Sequence, residues 1–288
     1  GGSRMKFRES AMRVVFLLTA CLSIAAVLLI CLFLFSGGLP AIAKIGVREF
    51  LLGMEWAPGQ NIYGIFPMIV GSLYVTAGAI IVGVPIGVLC AVFLARFCPK
   101  GLHRLLKPAV DLLAGIPSII YGFFGLTVLV PLVQQWFDTS GKGILTASLL
   151  LGLMILPTII STTEAALRAV PEPYYEGALA LGATHEGSVF RVVLPAAHSG
   201  TLTGIVLGIG RAIGEAMAVY MVAGNQAILP KSLLSGVRTM TANIVLEMGY
   251  AQDLHREALI ATGVVLFVFI LIINLSFSLL RRRGERHG

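Results

Sequence analysis

Apolar residues in this chain come in long runs and do not alternate with polar ones. Six stretches, at about 14–35, 67–95, 109–133, 144–163, 196–223 and 258–280, are almost continuously hydrophobic. Crossing a bilayer takes roughly 20 such residues in a helix. The pattern predicts an all-α, polytopic membrane protein with six transmembrane helices in a domain over 14–280. The first run is too long for a signal-peptide core and lacks a clean small-residue cleavage site, so it counts as a span. Pro85, Pro117 and Pro157 fall inside runs, and Gly204/Gly208 and Gly210/Gly214 have GxxxG spacing. Small residues let helices approach closely in lipid, and an internal proline frees a carbonyl and can kink its helix.

The polar positions between runs give an orientation. The segment 1–13, the second-to-third loop, the fourth-to-fifth loop and the tail 281–288 hold 14 Lys and Arg, against 6 in the other connections. The positive-inside rule places both termini in the cytoplasm. Residues 1–4, before Met5, read as an expression scar and are set aside. Of the two longer exterior segments, "GLPAIAKIGVREFLLG" predicts a short interfacial helix followed by a turn at "APGQN". The segment 225–257 leaves a lid, a docking surface and a solvated connector all open.

Composition narrows the function. Charged residues make up 12% of the 288 positions, against about a quarter in soluble domains. The net charge of +7 is explained by loop asymmetry and does not require nucleic acid. Cys21, Cys31, Cys90 and Cys98 form no CxxC pair, and the five histidines show no metal-ligand spacing. No phosphate-binding GxxxxGK[ST] loop is present. No cofactor or catalytic constellation is expected in this chain, which reads as a non-enzyme.

The fourth-to-fifth loop, 164–195, is not ordinary connector: "EAALRAVPEPYYEGALALGATHEGSVFRVVLP". Pro171 and Pro173 break the incoming helix. "YYEGALAL" then has helix-forming composition, and Gly182 suits a left-handed cap. The result is a helix–Gly–helix elbow with apolar Leu179, Leu181, Val189 and Phe190, shaped as a knob for a groove on another protein. Glu164, Glu172, Glu176 and Glu186 read as solvated or interface charges. Asp111 is expected at headgroup level, and Tyr74 and Tyr121 as packing residues before pore-lining ones.

Glu176, Gly177, Ala178, three residues, Gly182, nine residues and then Val192, Val193, Leu194, Pro195 resemble the EAA signature of ABC-transporter permeases, E-A-A-x3-G-x9-I-x-L-P. Gly177 and Val192 depart mildly from it. "GIPSIIYGFFGLTVLVPL", "VPEPYYEGALALGAT" and "GIGRAIGEAMAV" resemble phosphate-uptake permeases of the Pst type, and "RAIGEAMAVYMVAGN" the PstC-type subunit, with Ala216 where Thr is common. The resemblance implies a type I ABC importer permease architecture. It also implies a PstA-like second six-helix permease, a cytoplasmic ATPase dimer carrying ATP and Mg, and an extracytoplasmic phosphate-binding protein. The elbow is then the coupling helix that docks on the ATPase.

Arg211 lies about 15 residues into the fifth run, near the midplane. A charge there costs about 2.5–3.5 kcal/mol on insertion scales, so its side chain must face protein or water. Glu215, four residues on, is expected on the same helical face. Two readings stay open: a self-neutralising packing pair, or a guanidinium that meets an oxyanion while Glu215 keeps it from becoming a trap. The flanking Gly208, Gly210 and Gly214 leave room for the second. In the resembled family the matching Arg and Glu are regarded as transport residues. Competing functions are a permease for another oxyanion or small solute, a channel or secondary transporter, and a phosphate-signalling module.

Overall fold

The structure is a computed structural model that describes residues 2–284, with side chains from 9 to 279. Arg286 and the side chains of Arg281, Arg282 and Arg283 lie outside the described residues. In chain order the elements are α1 (Gly2–Ile45), α2 (Val47–Leu52), β1 (Trp56–Ala57), β2 (Ile62–Tyr63), α3 (Phe66–Val92), α4 (Lys100–Gly115), α5 (Ser118–Phe124), α6 (Val130–Phe137), α7 (Ile144–Ala169), α8 (Glu172–Ala180), α9 (His185–Ser188), α10 (Leu194–Ala196), α11 (His198–Gly214), α12 (Met217–Val222), α13 (Met240–Glu247) and α14 (Asp253–Gly284). Among the described residues, five helices are long and apolar enough to cross a membrane: Glu9–Ile45, Phe66–Phe97, Ser118–Phe137, Ile144–Ala169 and Asp253–Leu279. The pair His185–Ala196 and His198–Gly214, bent by 71°, makes a sixth when counted as one span.

The helix α7 is the central post. Glycines bring its neighbours close. A Cβ at Gly83 or Gly87 of α3 would come within 2.8 Å of the Ile155 or Ile159 side chain, and one at Gly204 or Gly208 of α11 within 3.0–3.1 Å of Thr162 or Ile159. The Gly204/Gly208 pair is therefore a packing face, as its spacing predicts. Around Gly210 and Gly214 there is nothing within 4 Å. Three apolar clusters are distinct along the chain: one centred on Leu150 and Ile155, one at the elbow end around Leu94, Leu167 and Val189, and one at the opposite end around Phe50, Met68 and Met240.

Three helices loosen into a π turn, at Phe93–Phe97, Gly125–Leu129 and Val189–Val193. A proline follows two residues after each, Pro99, Pro131 and Pro195. A proline ring clashes with the carbonyl four residues back and brings no N–H. At Pro131 and Pro195 the widened turn moves that carbonyl aside without ending the helix, whereas before Pro99 the helix ends at an extended Cys98.

Two predicted spans need correction. The run 109–133 is not one helix: α4 ends at Gly115, Ile116 is extended (φ −70°, ψ 125°), and the apolar crossing starts at Ser118. Pro117 forces this, because a residue before proline is pushed out of helical conformation. The helix α4 is amphipathic, with Leu106 and Val110 against the elbow-end cluster. The run 196–223 is interrupted at Glu215, whose backbone is extended (φ −72°, ψ 124°). The freed groups find partners: the Thr241 hydroxyl donates to the Glu215 carbonyl at 2.9 Å, and the Ala218 N–H donates to the Glu215 carboxylate at 3.1 Å. A broken helix survives at membrane depth only when its backbone groups are satisfied in this way.

The two longer connections also resolve. The short helix expected over 38–53 is divided: 38–45 continue α1, Gly46 breaks it, and only Val47–Leu52 form the separate α2; the turn is present as a 3-10 turn at Pro58–Gln60, with Asn61 left-handed (φ 57°). The segment 225–257 is a solvated connector only in its first part, where Ile228, Leu229 and Leu233 are exposed; the rest is packed. Val237, Met240, Ala242 and Asn243 are fully buried, and the Met240 N–H donates to Ser72 Oγ at 3.0 Å. Glu247 accepts from Arg238 Nη1, from Trp56 Nε1 and from the His255 ring, each at 2.8 Å. This tie fastens the β1–β2 hairpin, α13 and α14 into one cap over the end opposite the elbow.

Candidate functional site

The elbow is built by local backbone chemistry. The helix α7 runs to Ala169, past the expected start of the loop, and Val170 is extended before Pro171. The helix α8 begins at Glu172 with Pro171 as its N-cap; Pro173, expected to help break the incoming helix, sits instead in the first turn of α8, where no N–H is needed. It ends in a Schellman motif: the Gly182 N–H donates to the Leu179 carbonyl at 2.9 Å and the Ala183 N–H to the Ala178 carbonyl at 3.1 Å, with Gly182 at φ +87°. Thr184 then caps α9, accepting from the Gly187 N–H at 3.1 Å. Tyr175 and the His185 ring are hydrogen-bonded at 2.7 Å and close the corner from inside.

The outer surface of this corner is apolar and uncovered. Leu181 is 92% exposed, and Tyr174 and Phe190 are also exposed. Ala178, Leu181, Ala183 and Val192 line a shallow depression of about 580 Å³ beside Arg191. Val189, read from sequence as part of the knob, is fully buried and belongs to the core beneath it. Of the signature residues, Glu176, Gly177, Ala178 and Gly182 form the corner, while Leu194 and Pro195 lie in the return toward the bend at Ala197. A Cβ at Gly177 would meet nothing within 4 Å, so packing does not require this departure from alanine.

Arg211 sits on the open side of α11. Leu207, Gly210, Arg211 and Gly214 share an arc of about 100°, with Leu207 exposed and space beside both glycines. Gly204, Gly208 and Ala212 occupy the arc turned to the core. Gly208, expected to leave room for the guanidinium, packs instead on Ile159. Among the described residues, ion pairs join the side chains of Lys44, Arg96, His103, Lys107, Arg168, Arg238 and His255 to carboxylates, and Arg211 enters none.

The expected Arg211–Glu215 pair is thus absent. Residues four apart share a face only in continuous helix, and the helix stops between these two. The Glu215 carboxylate turns onward and caps α12. Glu215→Ala should therefore strand the Ala218 N–H and lower stability by about 1 kcal/mol. Glu215→Gln, which keeps an acceptor oxygen, should lose less. Thermal unfolding of the purified variants checks this; equal losses in both would mean that the charge acts and not the cap.

Other charges were misjudged from sequence. Glu164 is not solvated: it is 3% exposed in α7, with the His103 ring at 2.7 Å and Arg168 Nε at 3.0 Å. Glu172 does pair with a basic residue, Arg96 at 3.1 Å. Asp111 lies on α4, not on a span, and a hydrogen bond from Lys107 holds its carboxyl below the usual range. Tyr121 is buried and donates to the Leu113 carbonyl at 2.9 Å, while Tyr74 is exposed. The i,i+4 spacings Lys107–Asp111 and Glu164–Arg168 were readable signals for part of this.

A polytopic helical bundle with a protruding apolar elbow and a discontinuous helix carrying an unpaired arginine defines a membrane permease subunit. The chain belongs to the family of binding-protein-dependent transport system inner membrane components, whose model matches residues 83–286. It is 40% identical to the probable ABC transporter permease protein YqgH of Bacillus subtilis, over 90% of this chain and 88% of that protein. It is 36% identical to the phosphate transport system permease protein PstC of Mesorhizobium japonicum, over 88% and 84%. In fold it matches a chain of a bacterial ABC transporter involved in the import of the acidic polysaccharide alginate, with TM-score 0.64, 16% identity and 92% and 95% coverage. The all-α, type I ABC importer permease architecture follows.

Proposed function

We propose that the chain is the PstC-like permease subunit of an ATP-driven importer for inorganic phosphate. The observation that carries this is Arg211, a half-buried guanidinium without a carboxylate partner on the open face of a span. Left in lipid it would be costly. Beside a path it is a planar fork suited to an oxyanion. The likeness to proteins named PstC supports phosphate as that oxyanion. The elbow side is cytoplasmic on the loop charges, in a bacterial inner membrane, and the exposed Leu181 corner meets an ATPase dimer that holds ATP and Mg. The capped opposite end faces the phosphate-binding protein, and the open face of α11 meets a PstA-like second permease.

The test is uptake by proteoliposomes holding the chain, its partner permease, the ATPase and the binding protein. Labelled phosphate should accumulate with ATP, and sulfate should not compete. Transport of sulfate or another oxyanion in preference would replace phosphate as the substrate.

A further inference from the structure

Beneath the elbow, two arginines each cap the end of the other's helix. Arg96, in the π turn that extends α3, donates from Nη2 to the Leu167 carbonyl in the last turn of α7 at 3.0 Å. Arg168, in the last turn of α7, donates from Nη2 to the Leu94 carbonyl in the π turn at 3.0 Å. These carbonyls belong to helix C-termini, where the backbone has acceptors to spare and a cation is favoured. Arg96 goes further. Its Nη1 pairs with Glu172 at the start of α8 at 3.1 Å, and its guanidinium lies 5.8 Å from the Tyr175 ring centroid. Tyr175 is bonded to His185, whose ring meets Phe97 at 4.6 Å. Arg168 in turn holds Glu164, which the His103 ring ties to α4.

We infer that Arg96 and Arg168 are positioning residues for energy coupling: they clamp α3 to α7 and fix the angle of the coupling corner relative to both. The inference rests on the proposed docking of that corner on an ATPase. Arg96 is suited to the task because its side chain is 12% exposed and ties three separate elements. A fork can serve a backbone carbonyl and a carboxylate at once, whereas a lysine supplies one point charge. A corner held this way moves with the ends of α3 and α7. Without the clamp it would turn on its own.

The test uses the full complex in proteoliposomes and reads phosphate imported per ATP hydrolysed, beside the amount of ATPase that co-purifies. Arg96→Met should keep the ATPase bound, lose at least about tenfold in that ratio, and hydrolyse ATP without regard to the binding protein. Arg96→Lys, which retains the pair with Glu172, should recover part of the ratio, and Arg168→Met should fall between. A wild-type ratio in Arg96→Met overturns the inference. So does a parallel loss of abundance and transport that Lys does not relieve, which marks a plain folding role. Leu181→Asp, run alongside, separates the two levels. If it retains the ATPase, the docking itself is wrong. If it sheds the ATPase while Arg96→Met couples normally, only the positioning role fails.

Discussion

Arg211→Ala should reduce phosphate uptake by about a hundredfold while the protein reaches the membrane at normal abundance. A charge-assisted hydrogen bond at a water-poor site is worth up to about 3 kcal/mol, and each 1.36 kcal/mol is a factor of ten in rate. No loss of folding is expected, because among the described residues no carboxylate pairs with this guanidinium and the space around Gly210 and Gly214 is open. Arg211→Lys should restore little, since an ammonium cannot reproduce the fork. Uptake assays normalised to membrane abundance check both. Wild-type uptake in Arg211→Ala would move the anion path away from α11.

The second large effect is expected at Gly182. Its φ of +87° costs an ordinary L-residue about 1–2 kcal/mol and a β-branched one more. A Cβ there meets nothing within 4 Å, so the penalty is purely one of backbone conformation. Gly182→Asn should stay close to wild type, Gly182→Ala should be intermediate, and Gly182→Val should misplace Leu181 and uncouple the complex. ATPase activity with and without loaded binding protein measures the order. Full coupling in the valine variant would show that the corner does not carry the contact with the ATPase.

Where a feature depends on nearby residues, the chain announced it. Gly182, the Pro171 break and the APGQN turn all follow from short-range rules, and the structure has them. The spans were legible wherever hydrophobicity and helix coincide. They diverge at Ile116 and Glu215, where the side chains stay largely apolar while the backbone leaves the helix, so a count of apolar residues passes over the break. The Arg211–Glu215 pairing failed for the same reason, because it assumed a helix that ends one residue too soon. The burial of Glu164 was illegible in another way. It depends on α4 folding back to bring His103 within reach, a contact between residues 61 apart. The folded state of 225–257 likewise rests on Ser72 and Trp56, distant in the chain.

The glycine-lined contacts of α7 with α3 and α11 divide the molecule mechanically. Where bare glycine backbone meets a neighbour's isoleucine or threonine side chain at close range, the glycine has no side chain of its own to yield, and two helices resist sliding or rolling past each other. The trio is therefore expected to move as one body, carrying the clamped elbow with it. Rotation has to be taken up outside that contact, at joints where the hydrogen-bond ladder is already interrupted: Ile116 before α5, Ala197 at the 71° bend, and Glu215 ahead of α12. Arg211 lies between the last two joints, one turn beyond Gly208, so its charge sits at the margin of that body, beside the break that leads into α12.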